Sequence, residues 1–195
     1  MRSRYWKAVI FPAVAVAFCL SDSSAQAASL EQDFLDLSER CRISIEGNQP
    51  FDSIGLRPAP VAERHQRKQG VETLHRGWRS PGSELYVVET EWISRDGPSR
   101  RLCELHLRDE DRVLDPAEQA ALLQAFLAWK AQLVGAGRHE GEPMATIQQY
   151  QGATFLLSDR NPRGCRVISS LFLKTDGTVF SAGSGEQAIA ECDEG

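Results

Sequence analysis

The chain has 195 residues, with 22 basic and 27 acidic side chains, a formal charge of −5 and 42% hydrophobic residues. This acidic balance argues against nucleic acid as the main partner, because gripping a phosphate backbone needs a basic surface. Length and apolar content suit one domain with a real core and are too small for two comfortable ones.

The first residues set the compartment. Arg2, Arg4 and Lys7 precede the apolar run Ala8 to Leu20, and Ala25-Gln26-Ala27 is a small-x-small cleavage pattern. The run falls short of the roughly 20 residues that a bilayer span needs. Residues 1–27 therefore read as a signal peptide cut after Ala27, leaving 28–195 as a single periplasmic or secreted domain. Lipid attachment at Cys19 is disfavoured by the bulky Phe18 before it. Losing three bases and one acid moves the formal charge from −5 to −7. No later segment has the length and apolarity of a membrane span.

Cys41, Cys103, Cys165 and Cys192 remain after cleavage. An even number in an exported chain, without C-x-x-C spacing, points to two structural disulfides. Sequence alone allows three connectivities. The expected pairing is Cys41–Cys103, tying the first helix to the central strands, and Cys165–Cys192, tethering the acidic tail.

Ser29 and Gln32 form a capping box at the start of the mature chain. Leu30, Phe34, Leu37 and Cys41 then make one apolar stripe, which predicts a helix from about Leu30 to Cys41. Arg42 to Ile45 could extend this helix or begin a strand, its alternation slightly favouring extended chain. From about 46 to 77 there is no clean period, and Gly47, Pro50, Gly55, Pro58 and Pro60 break its first half. This stretch reads as an irregular insertion, with a short helical turn allowed at 61–68.

Glu84 to Leu107 reads as a β-hairpin turning at Asp96-Gly97. Tyr86, Val88, Thr90 and Trp92 suit an inward face, and Cys103, Leu105 and Leu107 suit the same face of the second strand. Setting Val88 opposite Leu105 or Leu107 keeps both rows inward, whereas a one-residue slip would bury Glu104 and His106. Next comes the best-signalled element: Asp115 as N-cap, Pro116 at the first helical position, Glu118 completing a capping box, and Gly135 and Gly137 as the stop. Leu122, Phe126, Trp129 and Leu133 make its stripe, and Leu123, Leu127 and Val134 widen it, so burial on two sides is expected. Thr154–Ser158 and Cys165–Leu173 read as strands. A turn at Asp176-Gly177 would place Leu173 opposite Phe180 and Leu171 opposite Ala182.

The expected fold is α+β: an antiparallel sheet of two hairpins with two amphipathic helices on one face. A duplicated helix-plus-strands unit is suggested by two matches. The helical stripes agree at an offset of 92, and Arg101-Leu102-Cys103 resembles Arg163-Gly164-Cys165 at an offset of 62.

Charge concentrates in the insertion, where Arg57, Arg64, Arg67, Lys68, Arg76 and Arg79 outnumber Glu63 and Glu72. Arg64, Arg67, Lys68, His75 and Trp78 are the candidate ligand-binding residues, with guanidiniums for an anion and an indole for stacking. The competing reading is a solvated loop paired with the chain's own acids. His65, His75, His106 and His139 lack metal-ligand spacing, and no metal or other cofactor is expected. Ser181 to Glu186 lacks both a nucleophile elbow and a phosphate-binding signature, so it reads as a flexible strand exit. Glu89 and Glu91 read as exposed strand acids.

Gly77-Trp78-Arg79, Pro81-Gly82 and the strand pair carrying Cys103 resemble small exported bacterial proteins without an assigned activity. The resemblance covers under a third of the chain and implies no catalytic residues. The functional expectation is a non-enzymatic protein of the bacterial envelope that binds a protein partner or small anionic ligand. A small periplasmic hydrolase or metal-dependent enzyme is the alternative, using His65, His75 or His106 with Glu104. A third reading is a subunit whose wide second helix is completed by another protein.

Overall fold

The computed structural model describes residues 29–61, 72–93, 99–109, 111–137, 139–141 and 150–187. Helices α1 (Leu30–Glu46) and α2 (Pro116–Gly135) share one core with an antiparallel sheet. The strands are β1 (Arg57–Ala59), β2 (Glu72–Arg79), β3 (Leu85–Ile93), β4 (Arg100–Leu107), β5 (His139–Gly141), β6 (Tyr150–Arg160), β7 (Arg166–Lys174) and β8 (Phe180–Glu186). Their order is β1-β2-β3-β4-β8-β7-β6-β5. The class is α+β, as expected, but the sheet has eight strands rather than two hairpins alone.

The stretch expected to be irregular supplies two of them, β1 and β2. Glu72 to Arg79 has a weak apolar alternation of its own and becomes a strand by pairing with β3 along its whole length. Pairing partners, not local pattern, decide such segments.

Each half of the chain is a helix followed by a four-strand meander, and the meanders meet where β4 pairs with β8. Arg101-Leu102-Cys103 lies within β4, whereas Arg163-Gly164-Cys165 sits in the β6–β7 connection, so those tripeptides occupy different places. The helical match joins α1 to α2, with Phe34 and Phe126 buried and their rings 6.3 Å apart.

The helix boundaries follow from their ends. Asp115 accepts from the amides of Ala117 and Glu118 at 2.8 Å each, and Glu118 accepts from the Asp115 amide at 3.0 Å. This capping box satisfies donors that would otherwise have no helical partner. Helix α1 does not stop near Cys41 but runs on to Glu46. Arg42 bridges Glu39 and Glu46, pairing at i−3 and i+4, which supports helix where alternation suggested strand. Helix α2 is buried only at Gln119, Leu122 and Phe126; Leu123 and Leu127 are half-buried and Val134 is exposed. Its second apolar row is therefore not covered as expected.

The central register also differs from expectation. Leu85 lies opposite Leu107, Val87 opposite Leu105 and Glu89 opposite Cys103, so the odd positions of β3 face the helices. Tyr86, Val88 and Thr90 lie on the other side, and they too are buried. With both rows shielded from water, apolar alternation could not say which row faces the helices. At β7–β8 the expected register is present: Leu173 opposite Phe180, Leu171 opposite Ala182. Gly177, at φ +73°, lets that turn press against α2's entry, where the Leu114 amide donates to Gly177 O at 3.1 Å; a Cβ there would collide with the Leu114 carbonyl.

Cys41 and Cys103 are joined in a disulfide that ties α1 to β4, and neither is accessible to solvent. Cys165 is buried at the entry to β7; Cys192 lies outside the described residues, and the pairing expected between them with it. Among the described residues, no helix is long and apolar enough to cross a membrane.

Candidate functional site

Two polar regions stand out, one on each face of the sheet. On the helix-facing side, Arg101 is buried and donates to Glu89 at 2.7 Å, to Gln49 O at 2.8 Å and to Ser44 Oγ at 3.2 Å. It also reaches the Ser44 carbonyl at 3.4 Å and Asn48 Oδ1 at 3.2 Å. A guanidinium thus caps the C-terminal end of α1, where free carbonyls and the helix dipole favour a cation. Arg76 stands 3.5 Å from the other Glu89 oxygen.

Beside this pair, Glu186 accepts from the Arg101 amide at 2.9 Å, from Asn161 at 2.8 Å and from Arg163 at 3.0 Å, while Asn161 also donates to Ile45 O at 3.3 Å. Glu89 and Glu186 are both buried. The expectation of Glu89 as an exposed acid is therefore overturned: the register turns it inward onto Arg101. Glu186 is hydrogen-bonded at both oxygens, whereas Glu89 Oε2 makes no hydrogen bond among the described residues and has only Arg76 near it; removing a partner from charges buried this completely would destabilise the fold.

A histidine–carboxylate contact also exists. His139 Nε2 lies 2.8 Å from Glu46 Oε1, with the His139 side chain 5% exposed. Glu46 is shared with Arg42, and Arg42 with Glu39, which accepts from Trp129 Nε1 at 3.0 Å. The hydrogen bond from Arg42 holds the Glu39 carboxyl below its ordinary value, against the opposing effect of burial. This network joins α1, α2 and β5. Its residues stand 93 apart in sequence at His139 and Glu46, which is why no spacing rule found the pair.

The outer face, away from the helices, is buried at Tyr86, Val88, Thr90 and His106 and exposed at Arg57 and Arg79 toward β1. Across it runs one row of register partners: Arg57 opposite Arg79, Arg79 opposite Tyr86, and Tyr86 opposite His106. The Tyr86 and His106 rings lie 5.4 Å apart. Further along the same face, His75 Nδ1 is 3.1 Å from Thr90 Oγ1. Toward β7 the face dips into a furrow of about 450 Å³ lined by Leu102, Glu104, Ile168, Phe172, Gly183 and Gly185. Gly183, at φ +153°, has no room for a Cβ, which would strike the Cys103 carbonyl on β4. Ser181 to Glu186 is thus part of a central strand, not a flexible exit, and its glycines form the floor of the furrow.

Of the ligand-binding residues expected from sequence, Arg64, Arg67 and Lys68 lie outside the described residues, as does His65. His75 and Trp78 are both on β2 but at alternate parity, so they project to opposite faces. His75 belongs to the outer face, whereas Trp78 packs on Phe51 at 5.0 Å beneath it. Glu104 and His106 share the outer face. Among the described residues, no three potential metal ligands converge. No known protein family, no curated protein and no solved structure matches this chain, so the site is read from its own geometry.

Proposed function

We propose that this is an exported, non-enzymatic binding protein of the bacterial envelope whose outer sheet face receives an anionic ligand. The observation that carries the reading is the placing of exposed Arg57 and Arg79, with half-buried His75, on one side of the sheet. On the opposite side the basic groups are consumed by buried acids. The furrow beside Glu104 supplies an adjoining surface for the rest of a ligand. Export follows from the basic, apolar and small-x-small segments of residues 1–27, and a buried disulfide is in keeping with an oxidising compartment. The positive stretch holding Arg64, Arg67 and Lys68 lies between β1 and β2 in the sequence and is proposed to add to the attraction.

The test uses protein recovered from the envelope of its native host, whose mass should correspond to a start at Ala28. Amide resonances are then followed during titration with inorganic phosphate and with citrate at low salt. Saturable shifts at His75, Thr90, Leu102 and Glu104 are expected. Shifts confined to the helix-facing residues, or none with either anion, would sink the reading.

A further inference from the structure

We infer that Arg57 and Arg79 form a gripping pair for a doubly charged oxyanion of the phosphate class, with the Tyr86–His106 ring pair continuing their row. The inference rests on the outer-face reading above and names the residues and the ligand chemistry. Arg57 and Arg79 are direct register partners on β1 and β2, and both are exposed. Like charges directly opposite on neighbouring strands repel, so the arrangement is unfavourable to the sheet alone.

Acids are abundant in this chain, and other arginines use them. Arg40 pairs with Asp36, Arg42 with Glu39 and Glu46, Arg76 and Arg101 with Glu89, Arg112 with Glu84 and Glu118, and Arg166 with Glu140. Arg57 and Arg79 make no ion pair or side-chain hydrogen bond among the described residues. Arginine forks on two directly opposed residues together offer several N–H groups to one tetrahedral oxyanion, and a dianion would cancel their repulsion.

The backbone is prepared for this. Pro58 biases Arg57 toward extended chain, which keeps it in register with Arg79. Gly77, opposite Ala59, lets β1 lie close against β2; a Cβ on Gly77 would come within 2.5 Å of the Ala59 carbonyl. On the inner side of the row, Tyr86 and His106 are buried with their rings tilted against each other at 5.4 Å, giving Arg79 a fixed neighbour. Because Arg57 lies on the edge strand β1 and both arginines are exposed, an ion can approach from solvent without displacing a core residue.

The chemistry accommodates free phosphate or a phosphate monoester. The experiment therefore measures binding of inorganic phosphate and of phenyl phosphate to the full mature chain by calorimetry at low salt. The comparison is with Arg57→Ser/Arg79→Ser and, separately, with Arg64→Ser/Arg67→Ser/Lys68→Ser. The native chain should bind at least one of the two saturably, and the first variant should lose about tenfold or more in affinity, as expected for removing charge-assisted contacts. Its thermal midpoint should be unchanged or higher, since a like-charge pair has been removed. Undiminished binding in the Arg57/Arg79 variant, with amide shifts still on the outer face, would overturn this inference and leave the outer-face reading standing. Absence of saturable binding of both probes to the native chain would overturn it as well. Amide shifts confined to the helix-facing side would overturn both readings.

Discussion

At the scale of single residues, Arg101 and Glu89 carry the most consequence. Arg101 sits 2.7 Å from Glu89, and with Gln49 O and Ser44 it closes the end of α1. Removing one member of a buried pair leaves the other charge stranded, so Arg101→Ala should cost about 3–5 kcal/mol in denaturant unfolding. Replacing both by methionine should cost less than the single change, because no charge is then left without its partner. A double variant as damaging as Arg101→Ala would show that the caps on α1, not the pair, supply the stability. Asp176 is the contrasting case. Lys174 and Thr178 hold its carboxyl well below the usual carboxylate range, yet it is fully exposed, so it shapes the β7–β8 turn without anchoring the fold.

At the scale of elements, the question is what fastens the helices to the sheet. The Cys41–Cys103 bridge closes a loop spanning 62 residues, for which chain-entropy reasoning gives about 4 kcal/mol. Replacing both cysteines by alanine should lower unfolding stability by roughly 2–4 kcal/mol. Because both are buried, dithiothreitol should leave the bridge intact in the native protein and cleave it once urea unfolds the chain. Rapid native-state cleavage would contradict the burial. Peptide mapping of the same oxidised sample should also recover Cys165 joined to Cys192. The α1–α2 contact has a different chemistry, running through Glu39, Arg42 and Trp129. Glu39 titrates below its ordinary 4.5 in the folded state, so its contribution is present above about that pH. It is lost as pH falls through the lowered folded value. The effect should be under about 1 kcal/mol, because Glu39 is part-exposed and water screens the pair. Thermal melts of native chain and Glu39→Gln should therefore differ above pH 5 and converge toward strong acid. A constant difference across that range would exclude the titration as its source.

At the scale of the whole molecule, the sheet divides the chemistry. Its helix-facing side carries the core and two buried charge clusters, and its outer side carries the arginine row and the furrow. The sheet ends in short strands, β1 with Pro58 and β5 with only three residues, which limits edge-to-edge pairing with other chains. This fits the proposal that the outer face, rather than backbone pairing at an edge, serves recognition. The arrangement also places Arg57 and Arg79 where a small ion can reach them without opening the fold.

The sequence by itself determined what is local. The Asp115 capping box, the Pro116 start and the Gly137 end of α2 depend on contacts within a few residues, and so did the Asp176-Gly177 turn. The Cys41–Cys103 pairing was legible because the helical stripe and the strand alternation each turned one cysteine inward. Tertiary structure alone decided the rest. β1 and β2 exist because β3 offers them a partner, and the central register was ambiguous because both faces of β3 are buried. The candidate row is legible only in part: the basic island named Arg57 and Arg79, but their opposition depends on a hairpin register that Pro58 and Gly77 permit and only pairing fixes. His75 and Trp78, three residues apart, were separated by the simplest rule of a strand. Successive side chains point to opposite faces, and no charge count can reveal that until the strand is known.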